Sequence, residues 1–315
     1  GGPAPSALSA WPELTREEWW RPVDGERLKE LSEELDTLRQ REGADTSPRA
    51  RAYAAHLRVR LADALFTRGQ LDEALTLLEE AGAIFATLGE ARERAVTMGQ
   101  IADILQARGE LDEALRICKE EELPVYERLG DVRERAVTMG QIADILQARG
   151  ELDEALRILQ EDVLQAFERL GDVRSRAVTL GKIADILFPR GQLDEALRIR
   201  TEEQLPVFER LGDVRERAVT VGKVADILFR RGQLDEALRI RKEEELPVYE
   251  RLGDVRGLLV SRARLAQTLL IRNTKDDRPE ARRLLCLALN DARRLRLPEA
   301  ATIEQMLADA GLNCD

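Results

Sequence analysis

An all-α solenoid of antiparallel helical hairpins is the fold class that this sequence predicts, and three observations carry the prediction. The 315-residue chain repeats itself: residues 92–117 and 133–158 are identical (RERAVTMGQIADILQARGELDEALRI), and close copies begin at Arg174 and Arg215. The period is 41 residues, set by Gly109, Gly150, Gly191 and Gly232 and by the Leu-Gly pairs that end at Gly130, Gly171, Gly212 and Gly253. A fixed period of this size marks units that bury their apolar faces only by stacking on neighbours. Within a unit, Val137, Met139, Ile142, Ala143, Ile145 and Leu146 recur at helical spacing, which gives one helix a wide buried face.

Each unit reads as a hairpin. Helix A runs over 131–149, opened by Asp131 and Glu134 as a capping box (Asp213 and Glu216 repeat it) and stopped by Gly150. Helix B runs over 151–169 and is stopped by Gly171. Three copies of helix B carry a late proline (Pro124, Pro206, Pro247), where the remaining copy has Gln165. Gln is at ease in a helix, so the expectation is a kinked but continuous helix B or one that ends in a tighter turn. A helix stopping near Glu121 is the rival.

Along the chain, residues 1–46 form an N-terminal segment with a polar helix over 24–41, and Trp19 and Trp20 are expected to plug the open end of the stack, with anchoring of a partner as the alternative. Five hairpins fill 47–253. Residues 254–315 form a degenerate sixth hairpin, in which 273–280 (NTKDDRPE) replaces the glycine turn, and a last helix over 297–312. End units must differ because one face meets water.

Charged residues make up 35% of the chain and aromatics 4%, as expected of long helices packed through aliphatic side chains, and the net charge of −11 leaves no general attraction for a phosphate backbone. Nucleic-acid binding is not expected, nor a membrane partner, since no apolar run reaches spanning length. Cys118, Cys286 and Cys314 show no metal-ligand spacing and read as small hydrophobes of a reducing, cytoplasmic compartment, without a structural disulfide. The first residue is Gly rather than Met, which suggests a processed product or a piece of a longer protein that could hold a catalytic domain elsewhere.

The run Gly109-Glu110-Leu111-Asp112-Glu113-Ala114, with the small Ala102 seven residues before the glycine, resembles the tetratricopeptide repeat over about residues 47–295. That family's unit is a 34-residue helical hairpin, and seven further residues are about two helical turns. The resemblance implies a lengthened, roughly 42-residue class known from bacterial signalling and defence proteins, a right-handed superhelix, and a concave face that holds a partner protein or peptide. It also implies a second reading, a regulatory or sensor subunit of a bacterial caspase-like (CHAT-type) protease or other cell-death system. The family's helix-B aromatic is replaced by Cys118, Leu159, Arg200 and Arg241. Basic and Asn residues that clamp a terminal carboxylate in some members are missing at Gly99, Asp103, Gln106 and Ala107, so an acidic C-terminal peptide is not the expected ligand.

An aspartate recurs at Asp63, Asp103, Asp144, Asp185 and Asp226, with Gln267 in the last unit. Helices packed ~8–10 Å apart would space these by about one Debye length, attractive to a basic segment. The alternative is that each Asp pairs with an Arg or Lys of its own or the next hairpin, such as Lys182 with Asp185. Where the copies differ, they differ beside this row: Gln100 and Gln141 become Lys182 and Lys223, Gln106 and Gln147 become Phe188 and Phe229, and Ala107 and Ala148 become Pro189 and Arg230. The two phenylalanines are candidate anchors or inter-repeat packing. His56 reads as structural, acidic runs such as 120–122 as solvated faces, and no catalytic motif, metal site or cofactor is expected.

Overall fold

The computed structural model describes residues 25–41, 47–295 and 297–314, and every regular element among them is helical. Trp19 and Trp20 lie outside the described residues. Among the described residues, no helix is long and apolar enough to cross a membrane. Two compact units divide at Ala166 and Phe167.

The first unit holds α1 (Gly25–Arg41), a hairpin of α2 (Pro48–Phe66) and α3 (Leu71–Leu88), and a second whose helix A is α4 (Ala91–Arg108) and helix B is α5 (Leu111–Ile117) with α6 (Leu123–Leu129). It continues with α7 (Val132–Ala148) and α8 (Leu152–Ile158), and the division falls within α9 (Leu164–Leu170). The second unit holds the A helices α10 (Val173–Leu187), α13 (Val214–Arg230) and α16 (Val255–Arg272). Their B helices are α11 (Leu193–Arg198) with α12 (Leu205–Leu211), α14 (Leu234–Ile240) with α15 (Leu246–Leu252), and α17 (Asp277–Arg294), followed by α18 (Glu299–Asp309).

Glycine makes both turns because both need a left-handed residue. At Gly130 (φ 66°) the glycine N–H donates to the Glu127 carbonyl and the Asp131 N–H to the Tyr126 carbonyl, a pairing that satisfies the end of helix B. Asp131 then accepts from the Glu134 N–H and caps α7. Only this half of the expected capping box forms: the Asp131 N–H is already spent on Tyr126, and the Glu134 carboxylate turns to Arg133 at 3.2 Å. In the sixth hairpin Asn273 (φ 54°) replaces glycine, and the buried Asp277 carboxylate accepts from the Thr274 N–H (2.8 Å) and from Arg272 Nε (2.9 Å). Those donors hold its pKa well below the usual carboxylate range.

Helix B is continuous, by a route that the proline positions alone do not reveal. A single π-helical turn joins its two α segments at Cys118–Glu122, Leu159–Val163, Ile199–Gln204 and Arg241–Glu245. The turn occurs before Gln165 as well as before the prolines, so proline does not cause it. Each proline instead sits in the first residues of the following α segment, where a missing donor costs little.

The core is built from alanines where A and B helices touch, Ala102, Ala143, Ala184 and Ala225 against Ala114, Ala155, Ala196 and Ala237, all at most 1% exposed. The expectation of three unpaired cysteines is overturned at the C-terminus, where Cys286 and Cys314 form a disulfide. Residues after α18 fold back along α17, held by Arg278 on the Ala310 carbonyl (2.5 Å) and Arg282 on the Asn313 carbonyl (2.6 Å). Sequence separation of 28 residues hid this return.

Because Ala143 is 1% exposed at a close helix contact, Ala143→Leu is expected to overpack it and cost about 1–3 kcal/mol in urea unfolding. An unchanged unfolding midpoint would mean that this register of α7 is wrong.

Candidate functional site

Five A helices carry an aspartate at one register: Asp63 on α2, Asp103 on α4, Asp144 on α7, Asp185 on α10 and Asp226 on α13, with Gln267 on α16. Behind that register helix B presents one buried residue, which is Leu78, Cys118 or Leu159 in the first unit and Arg200 or Arg241 in the second. A buried guanidinium must be paired to be tolerated. Both arginines meet this condition through the aspartates.

In the second unit Arg241 donates through Nη1 to Glu245 (2.7 Å) and through Nη2 to Asp226 (2.5 Å), from a side chain only 2% exposed. Arg200 likewise donates to the Gln204 amide oxygen (2.6 Å) and to Asp185 (2.8 Å). Lys223, on the next A helix, adds its ammonium to the same Asp185 oxygen at 2.9 Å. The alternative reading of the aspartate row therefore describes Asp185 and Asp226, and the cations come from helix B and the next hairpin.

The first unit answers the same carboxylates differently. Gln141 Nε2 donates to Asp103 (2.6 Å) and to the Gly99 carbonyl (2.8 Å), a neutral donor where Lys223 stands two copies later. The Gln100 amide oxygen is buried with no hydrogen-bond partner. It lines a cavity of about 50 Å³ with Asp63, Asp103 and Phe66. Asp63 and Asp103 are both exposed.

Glu122, read from its acidic run as solvated, is 5% exposed instead. It lies at the end of the π turn against Gly99, where an added Cβ would come within 2.8 Å of its Oε1. Thr138 donates to Oε1 at 2.9 Å, and Oε2 has no partner. Burial raises its pKa to about 7, and the Asp103 and Glu134 carboxylates add to the rise against the Thr138 bond. Glu245 occupies the same place against Gly222 but has Arg241 beside it. Its pKa is also raised by burial, with the Arg241 charge opposing. The signal missed in the sequence is the pairing of a helix-A glycine with a helix-B polar residue four positions after the Cys or Arg.

Of the other candidates, Lys182 is half-buried on α10. Phe188 is half-buried with the Arg230 guanidinium 5.2 Å above its ring. Phe229 packs against the Val224, Leu228 and Ile240 cluster, so part of its ring belongs to the core. His56 meets Phe85 edge-on at 5.0 Å, and burial lowers its pKa. Burial pushes the Cys118 thiol up, which keeps it protonated and unreactive.

The family profile described as tetratricopeptide repeat matches residues 53–121 and 93–161. No curated protein matches the chain in sequence. Among solved structures, a Rap protein complexed with competence and sporulation factor is similar at TM-score 0.62 and 14% identity over 96% of this chain and 88% of that one. Aspartyl phosphate phosphatase F from Bacillus subtilis follows at TM-score 0.61 and 12% identity, over 96% and 81%. BtubC from P. vanneervenii gives 0.57 and 18% over 69% and 90%. At these identities the likeness is one of fold.

Glu122 titrates near 4.5 without the fold and at about 7 within it. Between those values the folded chain keeps a proton that the unfolded chain has lost, so this residue's contribution to stability is full below about pH 4.5 and falls as pH rises toward 7. Glu122→Gln is expected to stabilise the chain at pH 8 by up to about 3 kcal/mol, at ~1.4 kcal/mol per unit, with little effect at pH 4.5. Glu245→Gln is expected to destabilise it at pH 8 by about 1–3 kcal/mol, since buried Arg241 loses a charged partner. Urea unfolding across pH 4.5–8 checks both, and equal responses of the two variants would contradict the assignment.

Proposed function

We propose that this tetratricopeptide-repeat protein is a non-catalytic scaffold that holds a partner peptide or protein domain against the outer faces of its A helices. The partner-binding residues expected from sequence are Gln100, Gln141, Asp103 and Asp144 with Lys182, Lys223, Asp185, Asp226 and Phe229 on those helices and Phe188 just past the end of α10. One observation carries the reading. The first unit keeps the aspartates but carries Leu78, Cys118 and Leu159 at the helix-B position of Arg200 and Arg241, and both Asp63 and Asp103 are exposed. These two carboxylates, beside an unsatisfied amide oxygen, offer acceptors to an Arg or Lys of a basic segment, and the partial burial that raises the Asp63 pKa gives a cation there more to gain.

The Rap structure, similar in fold, is a complex with a factor, which agrees with a binding role. The non-catalytic reading draws on the environments of His56 and Cys118, which suit neither proton transfer nor nucleophilic attack. The aspartyl phosphate phosphatase shares the fold alone, and fold does not determine activity. The protease-subunit reading rests on family resemblance and draws no support from the geometry. A cytoplasmic location draws no support from the cysteines, since Cys286 and Cys314 are bonded to each other.

Reversal of Asp63 and Asp103 to Lys should weaken capture of a fluorescein-labelled Arg-bearing peptide by ~10-fold or more, with melting almost unchanged, because exposed helix positions contribute within about 0.5 kcal/mol. Reversal of Asp185 should instead lower stability, since Arg200 is buried behind it. Anisotropy titrations at two salt concentrations with parallel melts check this. Unchanged affinity in the first variant would place the basic-segment site elsewhere.

A further inference from the structure

The second unit carries the same aspartates as the first, yet its surface has the opposite chemistry. Asp185 already accepts from buried Arg200 and from Lys223, and Asp226 and Glu245 share buried Arg241. Each carboxylate at this register thus has an internal cation. Two further cations stand beside them: Arg230 is exposed, and Arg264, which donates to the Gln267 amide oxygen, occupies the Lys223 register one hairpin on and is also exposed, while Lys223 itself keeps 45% of its side chain exposed. An incoming cation would meet bonded carboxylates and like charge, whereas an incoming carboxylate would meet ammonium and guanidinium donors.

Apolar surface lies within the same patch. The Arg230 guanidinium covers the Phe188 ring at 5.2 Å, joining α13 to α10, and leaves the ring half-buried. Beneath them a cavity of about 40 Å³ is lined by Ala184, Phe188 and Ile227 and by two cations, Arg200 and Lys223, that face Asp185 and the Arg241-paired Asp226. A planar cation on an aromatic face presents carboxylate donors beside a surface that an apolar side chain can cover.

We propose that the face of α10, α13 and α16 in the second unit is a docking surface for an acidic peptide segment of a partner protein, its carboxylates on Lys223, Arg230 and Arg264 and an apolar side chain against Phe188. This rests on the reading of the A-helix faces as the binding surface and assigns the second unit a partner chemistry opposite to that of the first. Nucleic acid offers anions too, but the chain's net charge of −11 opposes a polyanion, while a short acidic segment feels mainly the cations within a Debye length (~8 Å).

The test is fluorescence anisotropy on the full chain with three labelled probes: a ten-residue peptide of Glu, Gly and one Phe, its Arg-for-Glu counterpart, and a ten-nucleotide oligothymidylate. The Glu peptide is expected to bind in a salt-dependent manner and to lose ~10-fold or more in affinity in Lys223→Glu/Arg230→Glu and in the milder Arg230→Gln/Phe188→Ala. Circular dichroism verifies that each variant is folded, and the milder variant retains the Lys223–Asp185 pair. Neither variant should change capture of the Arg peptide, which should respond only to reversal of Asp63 and Asp103. Glu-peptide binding that is absent, or unchanged in folded variants, overturns the proposal. So does tighter binding of the oligonucleotide. If the Arg peptide is unaffected by first-unit reversals while the Glu peptide behaves as expected, the basic-segment reading fails and the acidic docking surface stands.

Discussion

Close approach of helix A to helix B at a glycine is the constraint on which the rest of this protein's chemistry depends. At Gly99 and Gly222 the missing Cβ makes room for the carboxyl of Glu122 or Glu245, and Gly181 receives Gln204 in the same way. The π turn of helix B places this polar residue and the residue four before it together in the contact. A polar group in so dry a place must be satisfied or lose its charge. Nearly identical hairpins reach different solutions: a buried arginine in the second unit, and Thr138 with a raised pKa in the first.

That choice extends to the surface. A guanidinium behind helix A reaches through to the aspartate on the outer side, so Arg200 and Arg241 offset the charges of Asp185 and Asp226. Where Leu78 or Cys118 stands in its place, the carboxylates of Asp63 and Asp103 stay available to solvent. One buried position on helix B thereby decides whether the aspartate on helix A has a buried guanidinium as its partner. A repeat array can in this way vary its ligand chemistry along its length while leaving the alanine-packed core untouched.

Much of the fold was legible from periodicity. Glycine turns and alanine contacts recur through the regular copies and aspartate caps at Asp131, Asp172, Asp213 and Asp254, and each has a local cause that a residue type reveals. Burial of Glu122 was not legible, because a glutamate at the end of an acidic run reads as solvated unless the glycine opposite it is considered with it. Arg200 and Arg241 were visible as departures from the family pattern, but their partners lie 15 residues back on another helix, a pairing that only the hairpin geometry supplies. The disulfide escaped for the same reason: Cys286 and Cys314 meet through a chain reversal that leaves no periodic trace. Repetition exposes what the copies share, whereas the site depends on where they differ and on what each difference touches.

The most direct measurement is the pH dependence of urea unfolding for Cys118→Arg, which transplants the second unit's arrangement into the first. Asp103, Gln141 and Glu122 stand around position 118 as Asp185, Lys223 and Gln204 stand around Arg200. The account predicts that the new guanidinium bridges Asp103 and Glu122, so that the loss of stability which Glu122 causes between pH 5 and 8 disappears relative to the parent chain. A variant that folds yet keeps the parent's pH profile, or one destabilised equally at both pH values, would contradict it.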